Sequence, residues 1–237
     1  MSLTSHGAFL FRLTRFGMFN SYLLKDEGAL TLIDTNLPGS APALLKAAAT
    51  LGLPIKRIVL THAHGDHIGS LDALRAALPD AEVSISARDA RLLAGDFSVD
   101  AGEGSDKLKG DLKAALTRPD RLLQDGDKIG PLRAVAAGGH TPGHFAFLDE
   151  RDGTLIAGDA FQTAAGLAVA GELRPLFPFP ALATWDPQQA ARSAAHLTEL
   201  APRRLAVGHG AVLEHPVEAM RAALRVAERH QARIAGV

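Results

Sequence analysis

The sequence contains no cysteine among its 237 residues. Disulfide bonds are therefore excluded, and so is any metal site that uses thiolate ligands. A metal ion bound by this chain has to be held by histidine and carboxylate side chains. Both are plentiful, because the chain has ten histidines and 26 acidic residues.

Long apolar runs and an excess of charge of one sign are also missing. No apolar stretch approaches the roughly 20 residues of a membrane-spanning helix, and the run from Gly7 to Phe11 is too short for a signal-peptide core. The formal net charge of −1 offers no broad basic surface for nucleic acid or an anionic membrane. We therefore expect a cytoplasmic protein whose partners are neither nucleic acids nor membranes.

The length and composition are typical of one globular α/β domain, which we predict to span residues 1–237. Strand patterns alternate with helical patterns along the chain. The predicted helices cover 40–51, 68–77, 187–200 and 216–234. We also predict that 88–118 is mostly helical, with a break at "GDFSVDAGEG", and that 162–185 is a loop rich in glycine and proline.

Two pairs of similar stretches hint at an internal repeat. "TLIDT" (31–35) resembles "TLIAGD" (154–159), and "IVLTHAH" (58–64) resembles "LAVGHG" (205–210). Each stretch is a strand pattern that ends in polar, ligand-type residues. The pattern suggests two half-units whose strand ends converge on one site.

The densest group of ligand-type residues is "THAHGDH", residues 61–67. His62 and His64 follow a strand, and alternate residues of an extended chain point to the same side, so the two imidazoles can share one metal. Gly65 permits a sharp turn. Asp66 and His67 then begin the next helix, turned away from the first pair, which suits a second metal.

Three stretches farther along the chain supply more ligand-type residues. His140 and His144 lie in "GGHTPGH", Asp159 follows a strand in "AGDAF", and His209 follows another in "VGHG". Each has a glycine beside it, which lets the backbone approach a crowded centre. A single such residue would mean little, but together with the first group they predict a metal centre.

These four motifs, in this order, resemble the metallo-β-lactamase-fold hydrolase superfamily, whose signature is H-x-H-x-D-H. The resemblance implies an α/β fold, a four-layer αββα sandwich. It also implies two divalent metals: one held by His62, His64 and His140, a second held by Asp66, His67 and His209, and both bridged by Asp159. His144 has no ligand role in that pattern. Asp34 would orient a ligand histidine.

The resemblance implies hydrolysis by a hydroxide that the two metals share. Five imidazoles and two carboxylates suit zinc, with iron or manganese as alternatives. Asp66, a ligand beside that hydroxide, is the expected catalytic proton carrier to the leaving group. The partner we expect is a small acyl substrate, and a homodimer is left open as the assembly.

The substrate is less well defined by the motifs than the chemistry is. We predict a lactonase or esterase, with a glyoxalase-II-type thioesterase as the alternative. Three further alternatives are a β-lactamase, a phosphotriesterase and a metal-binding sensor without turnover. Many acyl-homoserine lactonases carry a tyrosine where this chain has Gln162. Six apolar residues are candidates for a substrate wall: Met18, Phe19, Phe161, Phe177, Phe179 and Trp185.

Overall fold

A computed structural model describes residues 1–104 and 107–235. The chain divides into two compact units, Met1–Phe97 with Asp111–Gln124, and Ser98–Gly110 with Asp125 onward. Each unit has its own sheet and its own helices. The prediction of one domain over 1–237 is not tested by this division and stays a prediction.

The first unit contains seven strands and four helices. The strands are β1 (Ser2–His6), β2 (Leu10–Arg15), β3 (Phe19–Asp26), β4 (Ala29–Ile33), β5 (Ile55–Val59), β6 (Glu82–Ser86) and β7 (Arg121–Leu123). The helices are α1 (Ala41–Leu51), α2 (Gly65–Ile68), α3 (Leu71–Ala77) and α4 (Ala87–Leu93).

The seven strands form one sheet in chain order, in which β1 to β4 are antiparallel and β4 to β7 are parallel. A parallel pair needs a crossover, and α1 supplies it between β4 and β5. Leu30, Thr31, Leu32 and Ile33 are all fully buried, as expected for a parallel strand covered on both faces. This arrangement brings the carboxyl ends of β4 and β5 side by side.

The second unit contains a sheet of six strands, in the order β15-β14-β11-β10-β9-β8, and a separate two-stranded ladder of β12 and β13. Its strands are β8 (Lys128–Ile129), β9 (Leu132–Ala136), β10 (Phe145–Asp149), β11 (Thr154–Ile156), β12 (Phe161–Gln162), β13 (Ala168–Val169), β14 (Arg204–Ala206) and β15 (Leu213–Glu214). Its described helices are α5 (Phe179–Ala183), α6 (Pro187–Glu199) and α7 (Val217–Ala235).

The core of the second unit lies between its sheet and the two long helices. Phe161, Leu197, Leu205 and Met220 are fully buried members of one cluster that also contains Val169. Helix α6 begins where Asp186 accepts hydrogen bonds from the N–H groups of residues 188 and 189. Within this sheet β11 and β14 are parallel, so their carboxyl ends also lie side by side.

The prediction that 88–118 is mostly helical is wrong. Helix α4 ends at Leu93, and the described residues after it, 94–104 and 107–118, contain no helix. Four glycines interrupt this stretch, and the N–H groups of Leu116 and Thr117 donate to the side chain of Asp72 instead of to a helical carbonyl. The helix-forming composition of this stretch is therefore outweighed by hydrogen bonds to Asp72, a residue distant in the sequence.

The stretch 162–185 is more ordered than a loop. It contains the end of β12, all of β13 and helix α5, which begins after Pro178. Elsewhere the four remaining helix predictions match α1, α2 with α3, α6 and α7 to within a few residues. Among the described residues, no helix combines the length and apolar content needed to cross a membrane.

Candidate metal centre

In the first unit, the candidate ligands lie at the carboxyl ends of the parallel strands β4 and β5. The backbone N–H of Asp34, just after β4, donates to the carbonyl of Val59 at the end of β5 (3.0 Å). His62 follows β5 after two more buried residues. The chain then turns directly into α2, which carries the other ligand-type residues of the "THAHGDH" motif.

Three imidazoles of this motif are packed together and excluded from solvent. His62, His64 and His67 are each at most 2% exposed. The ring centroids of His62 and His64 are 4.8 Å apart, as expected for alternate residues of an extended segment. The ring of His67 is closer still, 4.0 Å from that of His62. His67 is therefore not turned away from the first pair, because the first turn of α2 folds it back over the strand end.

Neighbouring oxygen atoms set the orientation of two of these rings. The carboxylate of Asp34 lies 2.8 Å from Nδ1 of His67, so Asp34 does contact a candidate ligand histidine, and the role of His67 as a ligand stays a prediction. Asp34 also accepts hydrogen bonds from the backbone N–H of Thr61 (2.8 Å) and from its hydroxyl (2.7 Å). That hydroxyl is 3.0 Å from Nδ1 of His62. With Nδ1 engaged, each ring presents Nε2 as its metal-binding nitrogen.

Gly65 lies close to Asp111 and is not in a left-handed turn. Its N–H donates to the carbonyl of Asp111 (2.8 Å), and a Cβ at position 65 would collide with the side chain of the same aspartate. His64 forms an isolated bridge with Leu112 beside it. The segment around 111–112 therefore contacts the motif, and any residue larger than glycine would require the Asp111 side chain to move.

Asp66 differs from its neighbours in being accessible. Its side chain is 24% exposed, whereas that of His67 is 2% exposed, and its carboxylate lies 3.8 Å from Nε2 of His67. A carboxylate that lies next to a buried imidazole and still reaches solvent is suited to exchanging a proton with water.

In the second unit, two imidazoles converge on a single carboxylate oxygen. Oδ2 of Asp159 is 3.0 Å from Nε2 of His209 and 3.4 Å from Nε2 of His140. All three side chains are at most 4% exposed. Asp159 follows β11 and His209 follows β14, so the parallel pairing of these strands explains why residues 50 positions apart meet.

Hydrogen bonds fix the loop that carries His140. Nδ1 of His140 is 3.0 Å from the hydroxyl of Thr184, and its carbonyl accepts the N–H of Trp185 (3.0 Å). His144, on the same loop, accepts the backbone N–H of Asp159 at Nε2 (3.1 Å). His144 therefore serves as a hydrogen-bond acceptor that orients the Asp159 backbone, and its lack of a ligand role stays a prediction.

The donor set of each unit fits a divalent metal ion. The first unit offers three buried imidazoles and a carboxylate, and the second offers two imidazoles around one buried carboxylate. No sulfur is present, and each of His62, His67 and His140 has an oxygen atom within 3.0 Å of Nδ1. Rings oriented in this way by outer oxygen atoms are the usual surroundings of metal-bound histidines.

A family model described as the metallo-β-lactamase superfamily matches residues 14–209. The chain belongs to this superfamily. Its fold class is thereby confirmed as the α/β fold of the metallo-β-lactamase type, and as a member of this group it is a metal-dependent hydrolase that uses divalent ions.

Individual members of the superfamily resemble the chain over most of its length. The uncharacterised protein YobT of Bacillus subtilis (strain 168) is 50% identical over 89% of this chain and 91% of its own. The probable metallo-hydrolase YflN of the same organism is 30% identical over 79% of this chain and 78% of its own. A solved structure, TTHA1623 in a di-iron-bound form, is 28% identical with a TM-score of 0.63, covering 90% of this chain and 97% of its own.

Several residues that support the candidate ligands were not recognised in the sequence. Thr61 and Thr184 orient imidazoles, and the carboxylate of Asp89 accepts the N–H of Ala63 (3.0 Å) within the motif. Asp89 had a sequence signal, since Ser86 and Asp89 have the spacing of a helix capping box. That signal indicates a helix start and says nothing of Ala63, which only the fold brings near.

The six apolar candidates for a substrate wall separate into different environments. Phe161 belongs to the core of the second unit and Trp185 is 2% exposed. Phe177 is buried with its ring 5.2 Å from that of His209, and it also contacts Phe179, which is 64% exposed. Phe161 therefore serves packing, while Phe177 and Phe179 form a pair of aromatic rings that extends from the candidate ligand His209 to solvent.

Proposed function

We propose that this chain is a dinuclear metal-dependent hydrolase of lactones or carboxylic esters. The observation that carries the proposal is the convergence of His140 and His209 on one oxygen of the buried Asp159 (3.4 and 3.0 Å). A carboxylate placed between two ligand histidines is suited to bridging two metals. A centre with two metals suits displacement at an acyl carbon.

The ligand assignment rests on the motifs and on superfamily membership. His62, His64 and His140 would hold one ion, Asp66, His67 and His209 the other, and Asp159 both. When bound, the two ions supply a hydroxide at neutral pH and polarise the substrate carbonyl. Zinc is the ion that this set of imidazoles and carboxylates favours, with iron and manganese as alternatives.

The protein's own part in the reaction is to orient the ligands and to move a proton. Water adds to the acyl carbon and the acyl C–O bond breaks. The products are an alcohol and a carboxylic acid, which releases its proton to solvent and becomes a carboxylate; in a lactone the two groups remain in one molecule. Asp66 accepts the proton released by the attacking water and returns it to the leaving oxygen. Its 24% exposed side chain supports this role, because the more deeply buried Asp159 does not reach solvent in the same way.

The acyl group we infer is hydrophobic. Phe177 lies against His209. Three apolar residues near Phe177 in the sequence are exposed: Leu176 (92%), Phe179 (64%) and Leu182 (66%). Apolar side chains held at the surface of one short segment commonly mark a binding site for an apolar ligand. A hydrophobic acyl chain that reaches past His209 would cover them.

The test is a substrate panel on protein with its metal content measured. It contains lactones and p-nitrophenyl esters of increasing chain length, a thioester, a cephalosporin and a phosphotriester. We expect kcat/KM to be highest for lactones or esters and to rise with chain length. A preference for the thioester would establish the alternative, and a fully metal-loaded protein that hydrolyses none of them would contradict the proposal.

Two variants and a matched control test whether the acyl group is hydrophobic. Leu176→Ala and Phe179→Ala should flatten the dependence of kcat/KM on chain length, because each methylene buried against them contributes about 0.8 kcal/mol. Leu116→Ala is the control, since Leu116 is 88% exposed in the other unit and belongs to no candidate site. An unchanged chain-length dependence in both variants would contradict a hydrophobic acyl group.

A further inference from the structure

Gln162 is a buried amide whose hydrogen-bonding capacity is not used within the protein. Its side chain is 2% exposed, and among the described residues neither Nε2 nor Oε1 has a hydrogen-bond partner. A primary amide has two N–H donors and a carbonyl acceptor. Buried side-chain amides nearly always have partners, so both atoms point to a polar group that is not part of the chain.

The strand that carries Gln162 directs its side chain away from the hydrophobic core. The preceding residue, Phe161, is fully buried in the core cluster together with its cross-strand partner Val169. Because side chains alternate along a strand, Gln162 lies on the opposite face of β12. Its own cross-strand partner is Ala168, whose methyl group offers no hydrogen bond.

The segment that carries Gln162 is connected to two of the candidate metal ligands. Asp159 precedes Gln162 by three residues, and the N–H of Thr163, directly after it, donates to the carbonyl of His209 (2.9 Å). The approach is close because of Gly210, which has a φ of 106° and where a Cβ would lie 2.6 Å from the backbone carbon of Thr163. The backbone next to Gln162 is thus held against His209, three residues after Asp159.

Resting on the proposed function, we propose that Gln162 is a catalytic residue that donates a hydrogen bond from Nε2 to the carbonyl oxygen of the acyl substrate. When hydroxide adds to the acyl carbon, the electron pair of the C=O bond moves onto that oxygen, and the amide N–H stabilises the charge. The charge returns to the C=O bond as the C–O bond to the leaving oxygen breaks. The amide gains and loses no proton in this step.

An uncharged donor suits this position for a physical reason. Beside the carboxylate of Asp159, a second acidic residue would add repulsion, and a basic residue would oppose the binding of cations. A neutral amide provides a directed dipole that is already in place before the charge develops. Oε1 can accept a hydrogen bond from a hydroxyl or amide N–H next to the acyl carbon, so substrates with such a group should be favoured.

The experiment replaces Gln162 by methionine, which has nearly the same length and shape but no hydrogen-bonding amide. We expect kcat for the best substrate of the panel to fall about 100-fold, as with removal of other oxyanion donors, with a much smaller change in KM. Metal content should equal that of wild type. The melting temperature should stay equal or rise, because two buried polar atoms without protein partners are removed.

Gln188→Met is the matched control, because Gln188 is an exposed residue on α6. It should leave kcat, KM and metal content unchanged. Gln162→Asn keeps the amide but shortens the side chain by one methylene. This variant should have a low kcat like that of Gln162→Met, and it should not favour substrates with a hydroxyl or amide N–H next to the acyl carbon. A Gln162→Met variant with wild-type kcat and a lowered melting temperature would show that the amide is structural and would overturn the proposal.

A binding measurement separates this proposal from the proposed function. Octanoate, a carboxylate like the product of ester cleavage, is titrated into the metal-loaded protein by calorimetry. Gln162→Met should weaken octanoate binding by about tenfold, as expected for loss of a hydrogen bond to a charged group. Equal affinities together with turnover would overturn the role of Gln162 and leave the hydrolase proposal in place, whereas a lack of turnover across the panel would overturn the hydrolase proposal and the catalytic role of Gln162 with it.

Discussion

Asp34 shows how a single residue can organise one half of the candidate centre. Its backbone is left-handed, with a φ of 59°, a conformation that aspartate tolerates better than most residues. Its side chain is buried and contacts both Thr61 and His67. The backbone turn and the ring orientation of His67 therefore depend on the same residue.

We expect Asp34→Asn to weaken metal binding without unfolding the protein. Asparagine keeps the size and tolerates the left-handed backbone, but one acceptor oxygen becomes an NH₂ group that cannot accept from His67 or Thr61. Loss of such an outer partner typically lowers metal affinity by about 10–100-fold. Competition with a chromogenic chelator measures the affinity of the two proteins.

The control for Asp34→Asn is Asp26→Asn. Asp26 also belongs to the first unit, but it pairs with Arg57 (3.3 Å) and lies level with Ala29 at the opposite end of β4. This control should bind metal as the wild type does. If Asp34→Asn and wild type had the same metal affinity, the orienting role of Asp34 would be refuted.

His144 and His140 lie on the same loop and should respond differently to substitution. His144→Ala removes the acceptor for the N–H of Asp159 and leaves it buried, which costs about 1–3 kcal/mol of the free energy of unfolding. Metal content should stay near normal.

His140→Ala should instead lose about one metal per chain, as expected of a ligand. Elemental analysis and urea denaturation measure the two effects, and loss of both metals in His144→Ala would show that it is a ligand.

The residues that surround the ligands were harder to predict from the sequence than the ligands themselves. His62, His67 and Asp159 belong to dense motifs at strand ends, where residue type alone is informative. Thr184 lies 44 positions from the ring that it orients, in a stretch whose composition indicates only a loop. The tertiary fold decides whether a hydroxyl contacts an imidazole that is so distant in the sequence.

At the scale of elements, both units position their ligand-type residues in the same way. In each, two parallel strands lie side by side and carry ligand-type residues just beyond their carboxyl ends: β4 with β5, and β11 with β14. The repeat suggested by "TLIDT" and "TLIAGD" corresponds to this pairing. The similar stretches predicted that strand ends converge. The prediction of a mostly helical 88–118 is wrong beyond Leu93 because the Asp72 contact is not local.

We expect the Asp72 contact to make stability depend on pH. Burial raises the pKa of Asp72, but the hydroxyl and N–H of Thr117, the N–H of Leu116 and the charge of Arg118 lower it more, so the net shift is downward from 3.8. A carboxyl group whose pKa is lower in the folded state stabilises the protein above its unfolded pKa, and that stabilisation is lost as pH falls through the folded pKa.

Asp72→Asn therefore should melt below wild type at pH 7 and pH 5, and the difference should vanish well below pH 3.8. Asp72 is largely exposed, so solvent screening limits the effect to about 0.5–1 kcal/mol, or roughly 1–4 °C for a chain of this size. Asp80→Asn, an exposed carboxylate just after α3, is the control. A difference that grows as the pH is lowered would contradict the assignment.

At the scale of the whole molecule, the sequence predicts chemistry better than specificity. Hydrolysis with metals requires particular side chains at short spacing, and such residues form readable motifs. The residues that we propose for substrate choice are the exposed apolar ones around Phe179 and Gln162 on β12. Their sequence pattern is shared with ordinary core and loop segments. These surfaces become distinguishable only when burial and contacts are known.

Metal removal should affect the stability of the molecule as well as its activity. The buried imidazoles and carboxylates have their polar atoms close together, and an ion that binds only the folded state stabilises it by mass action. With free metal at about 1,000 times its Kd this amounts to about 4 kcal/mol, or roughly 8–16 °C in melting temperature. Dialysis against a chelator should lower the melting temperature and abolish turnover together.

Adding back about two equivalents of zinc, manganese or ferrous iron should restore both properties, and the ion that does so at the lowest concentration is the one the site favours. His67→Ala and Asp159→Ala should fail to regain turnover at any metal concentration. His196→Ala should recover fully, because His196 is an exposed residue of α6. A melting temperature that does not respond to the chelator, together with a stoichiometry below one, would refute a dinuclear centre.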